Sequence, residues 1–327
     1  MRSANSVGAP FLSRRNMEVN AHRHAGIPGT PPGLENVQVV INSYGRDVWF
    51  VERAIASVLR QKHLPSAIHF IDQNDLPIAL STSLQTEPLI HHHHFPSKVG
   101  ALARNLALHL VPTGWIAFAD DDACWVDDYS EHLLRLLRED PSLCLIAGAM
   151  LDEKTRRFYT LRHSIGGKLN SFTGSKLLYG ANFVVRAETF SSVNGYDSRL
   201  GPGTVWPSSE EADLCWRIII SGVTCRYDRD LAILHPAMHS SDARVAARKA
   251  HHYGIGKGAL AAMWLLEKRH RYGLFEYIEM TLVPMVNMIR GLLRCDLAQL
   301  YIQPAQWWGR QRGFWTFVFR RNRKLET

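Results

Sequence analysis

The chain has 327 residues, 46% of them hydrophobic and 21% charged, the proportions of a globular protein that can bury one large core plus an appendage. Its five cysteines are odd in number and form no CxxC pair, which argues against a disulfide framework or a zinc knuckle and suits a reducing compartment. The net charge of +8 is unevenly spread: from Arg244 onward lie fifteen of the 38 Lys/Arg but five of the 30 Asp/Glu, so the basicity belongs to the tail.

Residues 1–35 mix Pro, Gly, Asn, Ser and His with few large apolar side chains and read as a flexible leader. No apolar h-region opens the chain, so a cytoplasmic protein is expected. Residues 37–41 (VQVVI) predict a first strand, 42–46 a polar loop, and Asp47 a cap for a helix with Val48, Val51, Ile55 and Val58 at helical spacing. A second strand, 67–71, ends in Asp72, placed to accept hydrogen bonds from a ribose or base edge or to serve as an ordinary loop acid. His91 to His94 are expected in a loop, and residues 97–111 in one helix that carries Arg104, whose guanidinium suits a diphosphate or a surface acid.

The next strand, 115–119, runs into Asp120, Asp121 and Asp122. Three adjacent carboxylates repel one another and call for a cation, several donors or water, and hard oxygen ligands favour Mg²⁺ or Mn²⁺. A helix from about 127 and a strand over 143–150 complete a β-α-β-α-β-α-β alternation, which implies a mostly parallel sheet flanked by helices. Residues 154–176 lose this pattern and are expected to form a mobile hairpin or loop over the site. After a strand over 178–186, Glu210, Glu211 and Asp213 open a helix whose first-turn acids either answer the helix dipole or face the cleft as a general base. Asp213 and Arg217, at i and i+4, suit a helix brace. A last strand ends in His235.

In this order the motifs resemble the GT-A family 2 glycosyltransferases, from about residue 37 to 236. The resemblance implies a GT-A fold, α/β with a Rossmann-like central sheet, over 36–240, and a basic, aromatic-rich helical region over 241–327. It implies nucleotide-sugar contacts from Ser43, Tyr44, Arg46, Asp72, Arg104, Asp120 and Asp121, with metal ligation by Asp122 and His235. Gly180, Ala181, Asn182 and Asp213 would stand on the acceptor side, and Glu211 takes the place of the usual catalytic Asp, with Glu210 in reserve. The implied activity is inverting, metal-dependent transfer from a nucleotide sugar to a hydroxyl of a glycan, glycolipid or cell-surface polysaccharide. A GT-A-like module that binds without turnover and a nucleotidyltransferase are the competing readings. In the tail, Glu276, Glu279 and Arg290 interrupt the apolar stretch 274–293 and argue against a membrane span. The C-terminal region 241–327, basic over 244–257 and rich in Trp, Phe and Arg over 306–327, suits either peripheral contact with the inner face of an anionic membrane or packing on the catalytic domain. No nucleic-acid-reading module is present, and no such partner is expected.

Overall fold

A computed structural model describes residues 34–236 and 242–325. The elements are β1 (Leu34–Ser43), α1 (Val48–Leu59), β2 (Pro65–Asp72), α2 (Thr82–Gln85), β3 (Ile90–His94), α3 (Gly100–Arg104), α4 (Ala107–Leu110), β4 (Trp115–Asp120), β5 (Cys124–Trp125), α5 (Tyr129–Glu139) and β6 (Leu143–Asp152). They continue with α6 (Leu161–Ile165), β7 (Asn182–Arg186), α7 (Ala187–Ser192), α8 (Glu210–Ile220), β8 (Thr224–His235), α9 (Ala243–Leu266), α10 (Arg271–Leu293) and α11 (Leu297–Leu325). The strands form one eight-stranded sheet in the order β3-β2-β1-β4-β7-β6-β8-β5. The β1–β2, β1–β4, β2–β3 and β6–β8 pairs are parallel, whereas β7 runs antiparallel to both β4 and β6. Val37, Val39, Val40 and Ile41 are all buried, as a parallel strand covered on both faces requires. In α1 the Asp47 carboxylate accepts from Trp49 N at 2.9 Å, and Val51, Ile55 and Val58 pack into the core.

Two registers position the site. Asn42 on β1 lies opposite Asp120 on β4, so the loop after β1 and the acidic triplet leave the same carboxyl edge side by side. The two residues of β5, just after the triplet, pair antiparallel with Ile233 and Leu234, which brings His235 back to the acids.

Several expectations are corrected here. The leader expected over 1–35 falls outside the described residues except for Leu34 and Glu35, which begin β1. The single helix expected over 97–111 is two short helices. Its backbone tightens to i−3 bonds at Leu106 and Leu108, where the Asn105 side chain is bonded both to and from the Tyr196 backbone. His91 to His94 belong to the edge strand β3: the His92 ring meets Asp72 at 3.2 Å and that of His93 meets His69 at 3.1 Å. Residues 154–176 open as the expected hairpin, Phe158 bridging back to Leu151, and continue through α6; the segment is pinned by the fully buried His163 and Leu169, with Tyr227 Oη donating to the His163 carbonyl.

The three C-terminal helices pack on one another and on α8. Gly254 and Gly258 of α9 face the α11 carbonyls of Gln306 and Arg310, and Gly309 and Gly313 of α11 face those of His251 and Ile255. A Cβ at Gly254 would lie 2.9 Å from its facing carbonyl, and at the other three positions closer still, so the helices meet backbone to backbone. Trp264 on α9 donates to Asp213 on α8 at 2.8 Å and meets Trp216 edge-on at 5.1 Å. The tail is therefore not simply an interfacial helix, since Phe314 and Phe317 of α11 are buried. Among the described residues, no helix is long and apolar enough to cross a membrane.

Candidate active site

Two cavities open at the carboxyl edge of the sheet and share a wall made of Arg104, Asp120, Pro202, His235 and Tyr253. The larger, about 690 Å³, holds Tyr44, Arg46, Asp121 and Asp122 together with Lys98 and Lys249. The smaller, about 430 Å³, holds Glu210, Glu211, Gly180 and Ala181 and is walled by Lys257, Gln306 and Arg310 from the C-terminal helices. The acids of the triplet and those of α8 thus stand on either side of one partition.

On the larger side every triplet carboxylate has a counter-charge. Arg46 spans Asp121 Oδ1 at 3.1 Å and Asp122 Oδ2 at 2.9 Å, and Ser43 Oγ donates to Asp121 Oδ2 at 2.6 Å. Arg104 Nη2 lies 3.1 Å from Asp120. Burial nonetheless pushes the Asp121 carboxyl up to about 6, with Asp120 and Asp122 adding to the rise against Ser43 and Arg46. Asp122 goes the other way. Burial opposes its charge, but the hydrogen bond and charge of His235 and the charge of Arg46 outweigh that and hold it below the ordinary carboxylate range. His235 is likewise desolvated, yet Asp122 at 3.2 Å holds its proton above the ordinary histidine range.

Oxygens of Asp120 and Asp122 and a ring nitrogen of His235 lie within 4.8 Å of one another. Ligands in adjacent positions around Mg²⁺ or Mn²⁺, with bonds of about 2.1 Å, stand roughly 3 to 4 Å apart, so a small contraction closes this set. His235 Nδ1 lies 2.8 Å from the Pro236 carbonyl, a partner that keeps that nitrogen protonated, so that Nε2 is the atom that would give up its proton to ligate a cation. Two carboxylates and an imidazole oriented in this way fit a divalent cation.

On the smaller side Arg104 also reaches Glu210 at 3.2 Å and Glu211 at 3.9 Å, and its guanidinium lies 5.6 Å from the centre of the Tyr196 ring. Glu210 is buried as the anchor of that guanidinium. Glu211 is 26% exposed toward the cavity, and burial, then the neighbouring Glu210 charge, push its carboxyl well above the ordinary range. Gly180 makes room for it: a Cβ there would stand 2.9 Å from Glu211 Cγ.

Three predicted site residues lie elsewhere. Asp72 is fully buried and its oxygens are taken by Asn74 N and Nδ2, Ile78 N and His92, so it shapes the loop beyond β2 rather than presenting an oxygen to a ligand. Asn182 bridges strands, donating to the Ala149 and Leu231 carbonyls and accepting from Tyr129 Oη, and is not on the acceptor side. Asp213 is also buried, held by Arg217 at 2.6 Å and by Trp264, which bears out the helix brace and removes Asp213 from the acceptor side. Conversely, the sequence gives no local signal for Lys98, Lys249, Tyr253, Lys257 or Arg310 as cavity residues.

Residues 38–193 match the model of glycosyl transferase family 2. Two curated relatives from Mycobacterium tuberculosis strains, both described as pre-mycofactocin glycosyltransferase, are 29% identical over 181 residues. That alignment covers 51% of this chain and 35% of theirs, so the chain matches about a third of the length of those relatives. Among solved structures, the mannosyltransferase PcManGT from Pyrobaculum calidifontis, in complex with GDP-Man and Mn²⁺, superposes with a TM-score of 0.55 at 14% identity, covering 86% of this chain and 87% of that one. With its mixed sheet and acidic strand end, the chain shares the fold of that archaeal enzyme and carries, over residues 38–193, a segment similar to glycosyl transferase family 2.

Proposed function

We propose that the chain is an inverting, divalent-cation-dependent enzyme that moves a hexose from a nucleotide-sugar donor in the larger cavity to an acceptor hydroxyl in the smaller one. The observation that carries this reading is the partition itself: Asp120 and Arg104 face both cavities, the rest of the triplet lies on one side and Glu211 on the other. Mg²⁺ or Mn²⁺, held by Asp120, Asp122 and His235, would neutralise charge on a departing diphosphate. Lys98 and Lys249 line the same cavity and add positive potential for phosphate. The nucleoside end of the donor would extend past Tyr44 toward the loop that Asp72 shapes.

Glu211 is the base in this scheme. Its raised affinity for a proton suits it to take one from the acceptor hydroxyl as that oxygen bonds to the anomeric carbon and the bond to the diphosphate breaks. Base and leaving group on opposite sides of the partition make a single displacement with inversion. Glu210 fixes Arg104, so the partition stays charged and in place. GDP-mannose, the sugar nucleotide bound in the archaeal structure, is the first donor to test, followed by UDP- and dTDP-hexoses, and the acceptor is a glycan or glycolipid hydroxyl. The test is thermal shift and donor hydrolysis across such a panel. At least one donor should stabilise the protein only with Mn²⁺ or Mg²⁺, and Asp122→Ala should abolish both signals; a panel without any cation-dependent response refutes the proposal.

A further inference from the structure

Helix α10 has an unusual division of faces. The two glutamates that interrupt its apolar sequence are turned inward: Glu276, 1% exposed, meets Lys257 at 2.8 Å, and Glu279 pairs with Lys176. Thr281 accepts from Gln311 at 3.1 Å and donates to the Tyr277 carbonyl. The outward face carries Phe275, Ile278, Leu282, Val286 and Ile289 at intervals of three and four residues, between 41% and 60% exposed. Every exposed residue from Leu274 to Ile289 is apolar. This makes a stripe roughly 23 Å long on a surface where an ordinary helix would display charges.

Cations bracket the stripe. Lys268, Arg269 and Arg271 precede it, Arg290 and Arg294 follow it, all five are exposed, and none has an acidic partner within ion-pair distance among the described residues. At the far end, Asn287, Arg290, Arg294 and Gln299 border a recess of about 280 Å³, with Asp296 its one acid. On α11, Tyr301, Trp308 and Trp315 are exposed at seven-residue spacing, hence on one of its own faces.

We propose that the outward face of α10, residues 274–293, docks on an anionic phospholipid bilayer, the helix lying in the plane of the headgroups. A span is excluded for this helix, because its paired glutamates face the protein and it is not apolar enough to cross. A protein partner would ordinarily offer and receive about one hydrogen bond per 100 to 200 Å², and this stripe has no group to exchange one. Acyl chains need none, and lipid phosphates complement the unpaired cations at both ends. The docking surface is therefore centred on α10; within residues 306–327, Phe314 and Phe317 are consumed in packing while Trp308 and Trp315 remain exposed.

Vesicle sedimentation of the full chain tests this without reference to glycosyl transfer. The protein should sediment with phosphatidylcholine vesicles containing about 30% phosphatidylglycerol at about tenfold lower lipid than with phosphatidylcholine alone. The double variant Leu282→Glu/Val286→Glu should raise the lipid needed for half-binding by at least about tenfold. Arg290→Glu/Arg294→Glu, which leaves the apolar stripe intact, should lose the preference for anionic lipid, and thermal melting should show both variants folded. The proposal is overturned if the parent protein stays in the supernatant at every composition, if the first variant binds as the parent does, or if light scattering shows a dimer that this variant dissolves while vesicles are ignored.

Discussion

Placing a single methyl group at Gly180 tests the role of Glu211 without touching any charged residue. Gly180 has no left-handed backbone angle, so alanine is conformationally admissible there. Its Cβ would stand 2.9 Å from Glu211 Cγ and 3.0 Å from Cδ, closer still to Oε1, where non-bonded carbons need about 3.5 to 4.0 Å. The carboxylate therefore has to swing away by roughly 1 Å, a displacement that costs on the order of 10²-fold in rate at a reacting centre. The obstacle is the far end of a flexible side chain, so folding stability should change by less than about 1 kcal/mol. Gly180 borders the smaller cavity only. Gly180→Ala should then lower kcat for transfer by about a hundredfold and leave the calorimetric Kd for the donor with Mn²⁺ unchanged. Glu211→Gln should lose about 10² to 10⁴, and adding Gly180→Ala to it should do little more, because both act through one carboxylate. A normal kcat in Gly180→Ala, or a loss carried wholly by donor affinity, would refute the assignment.

Since Glu211 must be ionised to accept a proton and its pKa is raised to about 8, kcat/KM for transfer should climb with pH through the neutral region and flatten above that pKa; a profile already flat from pH 5 upward contradicts a buried glutamate base. Asp213→Ala removes the carboxylate that Arg217 and Trp264 share, and thermal or urea unfolding should register a loss of about 3 to 5 kcal/mol. Gly258→Ala drives a methyl group into the Arg310 carbonyl and should cost about 1 to 3 kcal/mol, seen as a lower Tm, as the α9–α11 crossing is forced apart.

The clustering of Asp120, Asp122 and His235 was legible in the sequence because its signal is local: three acids ending an apolar strand have few bland explanations, and His235 ends another strand. Arg104 was visible as a guanidinium near phosphate, but its tie to Glu210, 106 residues away, was not. Four identical polar residues carry no alternation, so β3 could not be distinguished from a loop at His91 to His94. Asp72, Asn182 and Asp213 were misread for a common reason. Sequence fixes the type of a polar residue near a strand end or helix start, while the direction it points depends on neighbours such as Ile78, Tyr129 and Trp264. The cavity residues of α9 and α11 were hidden more completely, because a basic helix downstream gives no sign of which wall it completes. Even the stripe of α10 was obscured by its own glutamates, whose inward orientation appears only once Lys176 and Lys257 are in place.

Glycine contact between α9 and α11 separates what anchors the roof over Glu211 from what decorates it. The two backbones meet directly at the glycines, whereas Lys257 and Gln306 project from the same turns into the space below. Substitution there would reshape the smaller cavity, and with it the choice of acceptor in the proposed scheme, while the larger cavity beyond Asp120 stays as it is.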